Sequence, residues 1–197
     1  MVNQSAPDIS RLVQLLGSLH PLTPEIIDFL KQKATTKTVR KGKMLLRSGE
    51  VCHHLYFISK GAIRGFIKDE DKDITTWISI DNEIVTSISG LNDQAPSREN
   101  IQAIENSELL VIIHADLETL YRNYLEFNIV GRKLLQRYYQ DAEGRAFVAR
   151  IPGTDHKYQY FVEHYPHLIN RVPIKYIASF LGVTLETLSR VRKRLSV

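Results

Sequence analysis

Apolar residues follow two different periods along the chain, and the points where the period changes divide it. Over residues 8–34, Ile9, Leu12, Val13, Leu15 and Leu16, then Ile26, Ile27, Phe29 and Leu30, recur at helix spacing. Pro21 and Pro24 break this stretch, and Thr23-Pro24-Glu25 has the cap-then-proline order of a second helix start. From about Thr38 to Ile113 the texture changes to short aliphatic and aromatic runs at 44–46, 55–58, 62–67, 74–80, 101–104 and 109–113. Between them lie Lys41-Gly42, Ser48-Gly49-Glu50, Lys60-Gly61 and the polar stretches 69–73 and 92–97. Short strands spaced roughly 8–12 residues apart predict an antiparallel sandwich or barrel.

The helical period returns from Asp116. Residues 126–150 contain no proline, and Val130, Leu134, Tyr138 and Ala142, followed by Arg145 and Ala149, mark one stripe. Such a helix is about 37 Å long at about 1.5 Å per residue, more than a small sheet domain covers. Part of the stripe is therefore expected to meet another subunit, with packing inside the chain as the alternative. Gly131 and Gly144 weaken the helix, and Ile151-Pro152-Gly153-Thr154 stops it, caps the next one and forms a hinge.

The most specific pattern begins at Pro173. Ile174, Ile177 and Leu181 give one apolar face, Ala178 permits a close helix crossing, and Gly182 supplies a left-handed turn. Thr184 then caps a second helix, with Glu186 in its first turn and Leu188 and Val191 turned inward. Leu185, Glu186, Ser189, Arg190 and Lys193 remain outward. This is the layout of a helix-turn-helix, whose second helix enters the major groove of double-stranded DNA. Arg190 suits a bidentate pair with guanine O6 and N7, and Glu186 can accept from a cytosine amino group or orient Arg190. Ser189 can reach a base edge or a phosphate, whereas Thr184, Thr187, Lys175 and Lys193 suit phosphate contacts that fix register.

Charge sharpens this reading. The chain of 197 residues has a net charge of +4, yet the segment 171–197 holds six basic residues (Arg171, Lys175, Arg190, Arg192, Lys193, Arg194) against one acid, Glu186. Outside that segment the balance is slightly negative, the distribution expected when one end meets phosphate. Hydrophobic content of 43% and charged content of 24% are ordinary for a globular protein. No aliphatic run approaches the ~20 residues of a membrane span, and residues 1–5 lack the basic and apolar regions of a signal peptide. The single cysteine, Cys52, cannot form an intrachain disulfide, so a cytoplasmic setting without membrane contact is expected. Cys52-His53-His54 is a candidate metal or haem handle, but neighbouring strand residues point to opposite faces, and His156, His164 and His167 add no recognisable spacing. No metal site is assigned. No Ser/His/Asp order, carboxylate pair or P-loop stands out, so no catalytic residue is assigned and an enzyme is not expected.

Taken together, the chain resembles the Crp/Fnr family of bacterial transcription regulators from about residue 24 to 195. The resemblance rests on Lys41-Gly42, Gly49-Glu50, Leu55-Tyr56-Phe57-Ile58 and Gly61 in the strand region. It rests also on the order of segments and on Glu186-Thr187-Leu188-Ser189-Arg190, which is similar to the Fnr-type element Glu-x-x-Ser-Arg. It implies an α+β chain in three parts. These are an N-terminal antiparallel β-roll of the cyclic-nucleotide-binding kind (1–125), a long dimerisation helix (126–151) and a C-terminal (winged) helix-turn-helix (152–197). It implies a homodimer on a palindromic DNA site, a sensory roll, and RNA polymerase as a partner if the protein is an activator.

The sequence departs from the family in two places. Cyclic-nucleotide binders carry a Gly-Glu pair that grips the ribose and a later Arg-Ser/Thr-Ala triplet whose arginine neutralises the phosphate. Aligned through Asn82-Glu83 and Ala103, the pair becomes Thr86-Ser87 and the triplet Ser97-Arg98-Glu99. Thr86, Ser87, Ser97 and Arg98 thus line the candidate ligand pocket, Glu99 adds a negative charge, and Arg98 sits one residue off register, which on a strand is the opposite face. The expected effector is an unidentified small molecule other than a cyclic nucleotide, or none, and the cofactor is unknown. One cysteine also excludes an Fnr-type cluster. Because Val197 falls three residues after Arg194, the wing has to come from residues 165–172 and is expected to be minimal. Two further readings stay open: a regulator responsive to cyclic AMP or GMP, and a ligand-sensing module acting on a protein partner.

Overall fold

The computed structural model describes residues 7–195. The expectations for residues 1–5 and for Val197 fall outside that range. Two helices come first, α1 (Ser10–Leu19) and α2 (Pro24–Lys33). Thr23 accepts the Ile26 N–H at 3.4 Å, and Pro24 occupies the first turn of α2. Leu12, Leu16, Ile26 and Leu30 are the positions these helices bury.

Eight strands follow as two four-stranded antiparallel sheets. One holds β1 (Thr35–Val39), β8 (Ser107–Ile113), β3 (His54–Lys60) and β6 (Ile84–Val85), in that order. The other holds β2 (Met44–Leu46), β7 (Asn100–Ala103), β4 (Ala62–Asp69) and β5 (Lys72–Ile80), also in that order. Their facing sides bury Tyr56, Ile58, Ile63, Ile101 and Leu109 almost completely, at about 1.5–3 kcal/mol for each large aliphatic side chain. Gly61 joins β3 to β4 with φ +120°, and a Cβ there would fall on the Ser107 side chain, so both backbone and space require glycine. A short helix, α3 (Ile88–Asn92), lies between β6 and β7.

After β8 come α4 (His114–Asn123) and the 26-residue α5 (Leu125–Arg150). The stripe expected to meet another subunit packs, in its first half, inside the chain. Val130 is buried, and Leu134 and Tyr138 pack against the core between the sheets. The reason is polar as well as apolar: the Tyr138 hydroxyl donates to the Ile84 carbonyl and accepts the Ile84 N–H, tying α5 to β6. Ala142 and Ala149 are exposed and Arg145 is half-buried. Gly131 is a notch rather than a weakness, since the Tyr121 ring of α4 lies where a Cβ would stand, 2.6 Å away.

The C-terminal helices are α6 (Thr154–His164), α7 (Ile174–Leu181) and α8 (Leu185–Leu195). Gly153, at φ +80°, precedes α6 and no side chain caps it, so Thr154 is the first helical residue and not the cap. Residues 165–172, where a minimal wing was expected, contain a 3-10 turn at Pro166–Leu168. Among the described residues no strand follows β8, because Tyr165, Leu168 and Val172 pack into the helical core instead of extending. That core is continuous with the sheets: Ala62 and Ile104 are buried together with Phe161, Ile177 and Leu188. Among the described residues, no helix is long and apolar enough to cross a membrane.

Candidate DNA-reading face and ligand cassette

The turn between α7 and α8 is built by local chemistry. Gly182 adopts the left-handed conformation (φ 66°, ψ 36°) that ends α7. The Val183 N–H reaches back to the Ala178 carbonyl at 3.0 Å and the Gly182 N–H to Ser179 at 3.2 Å, closing the last turn. Thr184 Oγ1 accepts the Thr187 N–H at 3.2 Å and lies 2.9 Å from the Thr187 hydroxyl, so it caps α8. Pro173 stands at the cap position of α7, where its carbonyl accepts the Tyr176 N–H.

This turn fixes which side of α8 is outward. Leu188 and Val191 are buried against Ile177, Ala178 and Leu181. Glu186, Ser189, Arg190 and Lys193 are exposed, as are Thr184 and Leu185; Thr187 is half-buried. Lys175 is exposed on α7, its ammonium 4.8 Å from the centroid of the Tyr176 ring. Glu186 and Arg190 share no hydrogen bond among the described residues, so Arg190 is not oriented by Glu186 in this structure. Arg190, Lys193 and Lys175 form no ion pair among the described residues.

Two of the six basic residues of this segment are engaged elsewhere. Arg194 pairs with Asp155 on α6. Arg171 bonds both carboxylate oxygens of Asp81, both of Glu105 and the Gly61 carbonyl. Burial pushes the Asp81 carboxyl up, but the Arg171 hydrogen bonds, the Gly61 N–H and the arginine's charge outweigh it and hold Asp81 below the ordinary carboxylate range. The count of positive charges near the helix-turn-helix therefore overstates what faces outward.

The candidate cassette residues lie where β6, α3 and β7 meet. Ser87 and Ser97 are buried, their hydroxyls 2.9 Å apart, and Ser97 Oγ also accepts the Glu99 N–H at 3.1 Å. Thr86 donates to the His54 carbonyl at 2.9 Å and lies 3.3 Å from the Cys52 sulfur. Arg98 is exposed. Glu99 turns inward, where the Trp77 indole N–H donates to it at 2.8 Å. Burial pushes the Glu99 carboxyl up, and the bonds from Trp77 and Ser87 and the charge of Arg145 recover only part of that. Trp77 itself lies flat on Gly65, where a Cβ would come within 2.2 Å of the indole. Sequence reasoning did not single out Trp77; a tryptophan opposite a glycine in paired strands was the available signal.

Cys52, His53 and His54 part company: the Cys52 sulfur donates to the His54 carbonyl or meets Thr86, His53 bonds Gln94 at 2.9 Å, and His54 stacks on Tyr56. Among the described residues, no three His, Cys, Asp or Glu side chains are grouped to hold a metal ion.

Comparison with known proteins places this geometry. Residues 36–124 match the cyclic nucleotide-binding domain family. No curated protein matches the chain in sequence. Among solved structures, FixK2 from Bradyrhizobium japonicum is similar with TM-score 0.71 at 17% identity, covering 83% of this chain and 84% of FixK2. A transcriptional regulator of the Crp/Fnr family from Eubacterium rectale gives TM-score 0.71 at 16% identity, covering 89% and 84%. The c-di-GMP responsive global regulator CLP from Xanthomonas campestris gives TM-score 0.67 at 16% identity, covering 88% and 92%. Residues 36–124 thus match the cyclic nucleotide-binding domain family, and the chain as a whole shares the fold of FixK2 and of the Crp/Fnr-family structure from Eubacterium rectale.

Proposed function

We propose that the chain is a dimeric transcription regulator that reads a two-fold-related DNA site through α8, with a roll that does not answer to a cyclic nucleotide. One observation carries this: the buried side of α8 seats it on α7, and its opposite side presents Glu186, Ser189, Arg190 and Lys193 together to solvent. Arg190 pairs with a guanine, and Glu186 accepts from a cytosine amino group. Ser189 meets a base edge or a phosphate. Lys193, Lys175 and Thr187 meet phosphates, as does Thr184 from its capping position.

The second copy would seat on α5. Leu135 and Tyr139 are 52% and 67% exposed, and with Ala142 and Ala146, also exposed, they form a stripe beside the buried one. In the cassette, a cyclic phosphate would meet two hydroxyls already bonded to each other and an inward carboxylate, with no arginine to neutralise it. That arrangement supports a different effector, or none, over a cyclic nucleotide.

Selection from randomised duplex DNA without added ligand tests the reading. Enrichment of an inverted repeat, with half-sites about one helical turn (~34 Å) apart, is expected. Failure to bind DNA even at low salt would overturn it in favour of a module acting on a protein partner.

A further inference from the structure

We propose that Arg171 and Ser179 are positioning residues that lock the reading helix to the roll and so set the single half-site spacing the dimer accepts. The proposal rests on the DNA-reading assignment of α8 made above.

β5 is the outer strand of its sheet, and an uncovered outer strand leaves backbone donors and acceptors without partners. Here α7 covers it. Ser179 Oγ accepts the N–H of the buried Thr75 at 2.8 Å and donates to the Asp73 carbonyl at 2.6 Å. At the opposite end of the β4–β5 ribbon, Arg171 forks between Asp81, Glu105 and the Gly61 carbonyl. Between the two pins, the Tyr176 ring lies 4.3 Å from the guanidinium of Arg64, which is itself only 4% exposed. Arg64 is held by Asp73, Gln102 and Thr75, and its guanidinium also lies 4.1 Å from the centroid of the Phe66 ring. Beneath them Ala62, Ile78 and Ile80 join the apolar core of the helices.

With Arg171 anchored just ahead of α7, Ser179 anchored near its C-terminal end and the ring of Tyr176 packed between, α7 is held against pivoting on its strand ribbon. α8 follows α7 through Gly182-Val183-Thr184 and shares its core, so the axis of α8 is fixed by the roll as well. The roll also carries α5, tied to β6 through Tyr138. The α5 stripe proposed for the subunit contact and the reading helix are thus tied to the same roll, and in this pose Glu186, Ser189, Arg190 and Lys193 stay exposed. On DNA, each added base pair moves a half-site by about 3.4 Å and turns it by about 34°. A rigid pair of reading helices meets one such step, whereas heads on a loose tether meet several.

The test uses the half-site pair selected by the wild-type protein, rebuilt with spacers of the selected length and one or two base pairs longer or shorter. Wild type, Arg171→Ala, Arg171→Lys and Ser179→Ala are titrated against each duplex. Wild type is expected to lose roughly tenfold or more in affinity for each base pair off the selected spacer. Arg171→Ala and Ser179→Ala are expected to flatten that profile to within about threefold while keeping the base preferences inside each half-site. Arg171→Lys should fall between, because an ammonium cannot reproduce the planar fork. Variants that keep the wild-type spacer profile, or that lose affinity equally at every spacer, overturn the proposal. If wild type selects no repeat, the DNA-reading assignment itself has failed. A second measurement needs no DNA: spin labels at Lys43→Cys and Glu163→Cys, both exposed sites, in a Cys52→Ser background diluted with unlabelled protein. One narrow distance is expected, broadened by Arg171→Ala; an equally narrow distribution in the variant overturns the lock.

Discussion

The hydroxyls of Ser87 and Ser97 are hydrogen-bonded to each other across 2.9 Å, both buried inside the roll. By the alignment through Asn82-Glu83 and Ala103, they stand where a cyclic-nucleotide cassette would carry its glutamate and its arginine. Neither hydroxyl is free: each bonds the other, and Ser97 Oγ also bonds the backbone of Glu99. Beside them, Glu99 faces inward onto Trp77 while Arg98 faces solvent.

Cyclic AMP or cyclic GMP is therefore expected to leave the stability of the chain unchanged. A ligand present at about 100 times its Kd would add about 2.7 kcal/mol, which a thermal melt resolves easily. A rise of several degrees in Tm on adding either nucleotide would contradict the reading of the cassette.

Gly131 should not tolerate alanine. In an exposed helix that change stabilises by up to about 1 kcal/mol. Here the new Cβ would lie 2.6 Å from the Tyr121 ring, so overpacking, typically costing about 1–3 kcal/mol, should win. Urea denaturation of Gly131→Ala is expected to give a lower midpoint than wild type; a higher one would show that α4 yields without cost.

Glu99 should make stability fall as pH rises. Its folded-state pKa is raised by burial, so its favourable contribution is complete below the ordinary value of 4.5 and is lost as pH climbs through the raised value. Glu99→Gln keeps an acceptor for Trp77 but cannot ionise. Its Tm relative to wild type is expected to increase as pH rises above 4.5, with the half-buried Glu83 shifted the same way in both proteins. The difference is measurable, since about 1 kcal/mol moves Tm by about 2–4 °C in a chain of this size. A Tm difference that does not vary between pH 4 and 8 would refute the assignment.

The exposed stripe on α5 should carry the dimer. Leu135→Asp together with Tyr139→Asp is expected to leave the fold intact and give a monomer by sedimentation velocity, because both side chains are exposed in the single chain. An unchanged sedimentation coefficient would move the subunit contact elsewhere.

The helix-turn-helix was legible in the sequence because its determinants are local: Gly182, Thr184 and the spacing of Ile177, Leu181, Leu188 and Val191 each act within a few residues. The longer strands announced themselves as apolar runs. β1 did not, because Thr35-Thr36-Lys37-Thr38 faces outward and only Val39 is buried. β6 is two residues long and carries no period. The partner of the α5 stripe was decided by Tyr138 reaching Ile84, a contact 54 residues apart that helix spacing cannot reveal. Arg171 illustrates the same gap for charge: composition counts it with the basic segment, while Asp81 and Glu105 claim it. The alignment located Ser87 and Ser97, but their mutual hydrogen bond depends on how α3 folds between them.

The most direct measurement compares binding of wild type, Arg190→Ala and Lys193→Ala to a selected duplex and to the same duplex with single guanine substitutions, across a salt series. Arg190→Ala is expected to lose about 1–3 kcal/mol of discrimination at one guanine of each half-site. Lys193→Ala should weaken all duplexes alike and lower the salt slope by about 1. Arg190→Ala protein that discriminates every guanine as wild type does would contradict α8 as the reading helix.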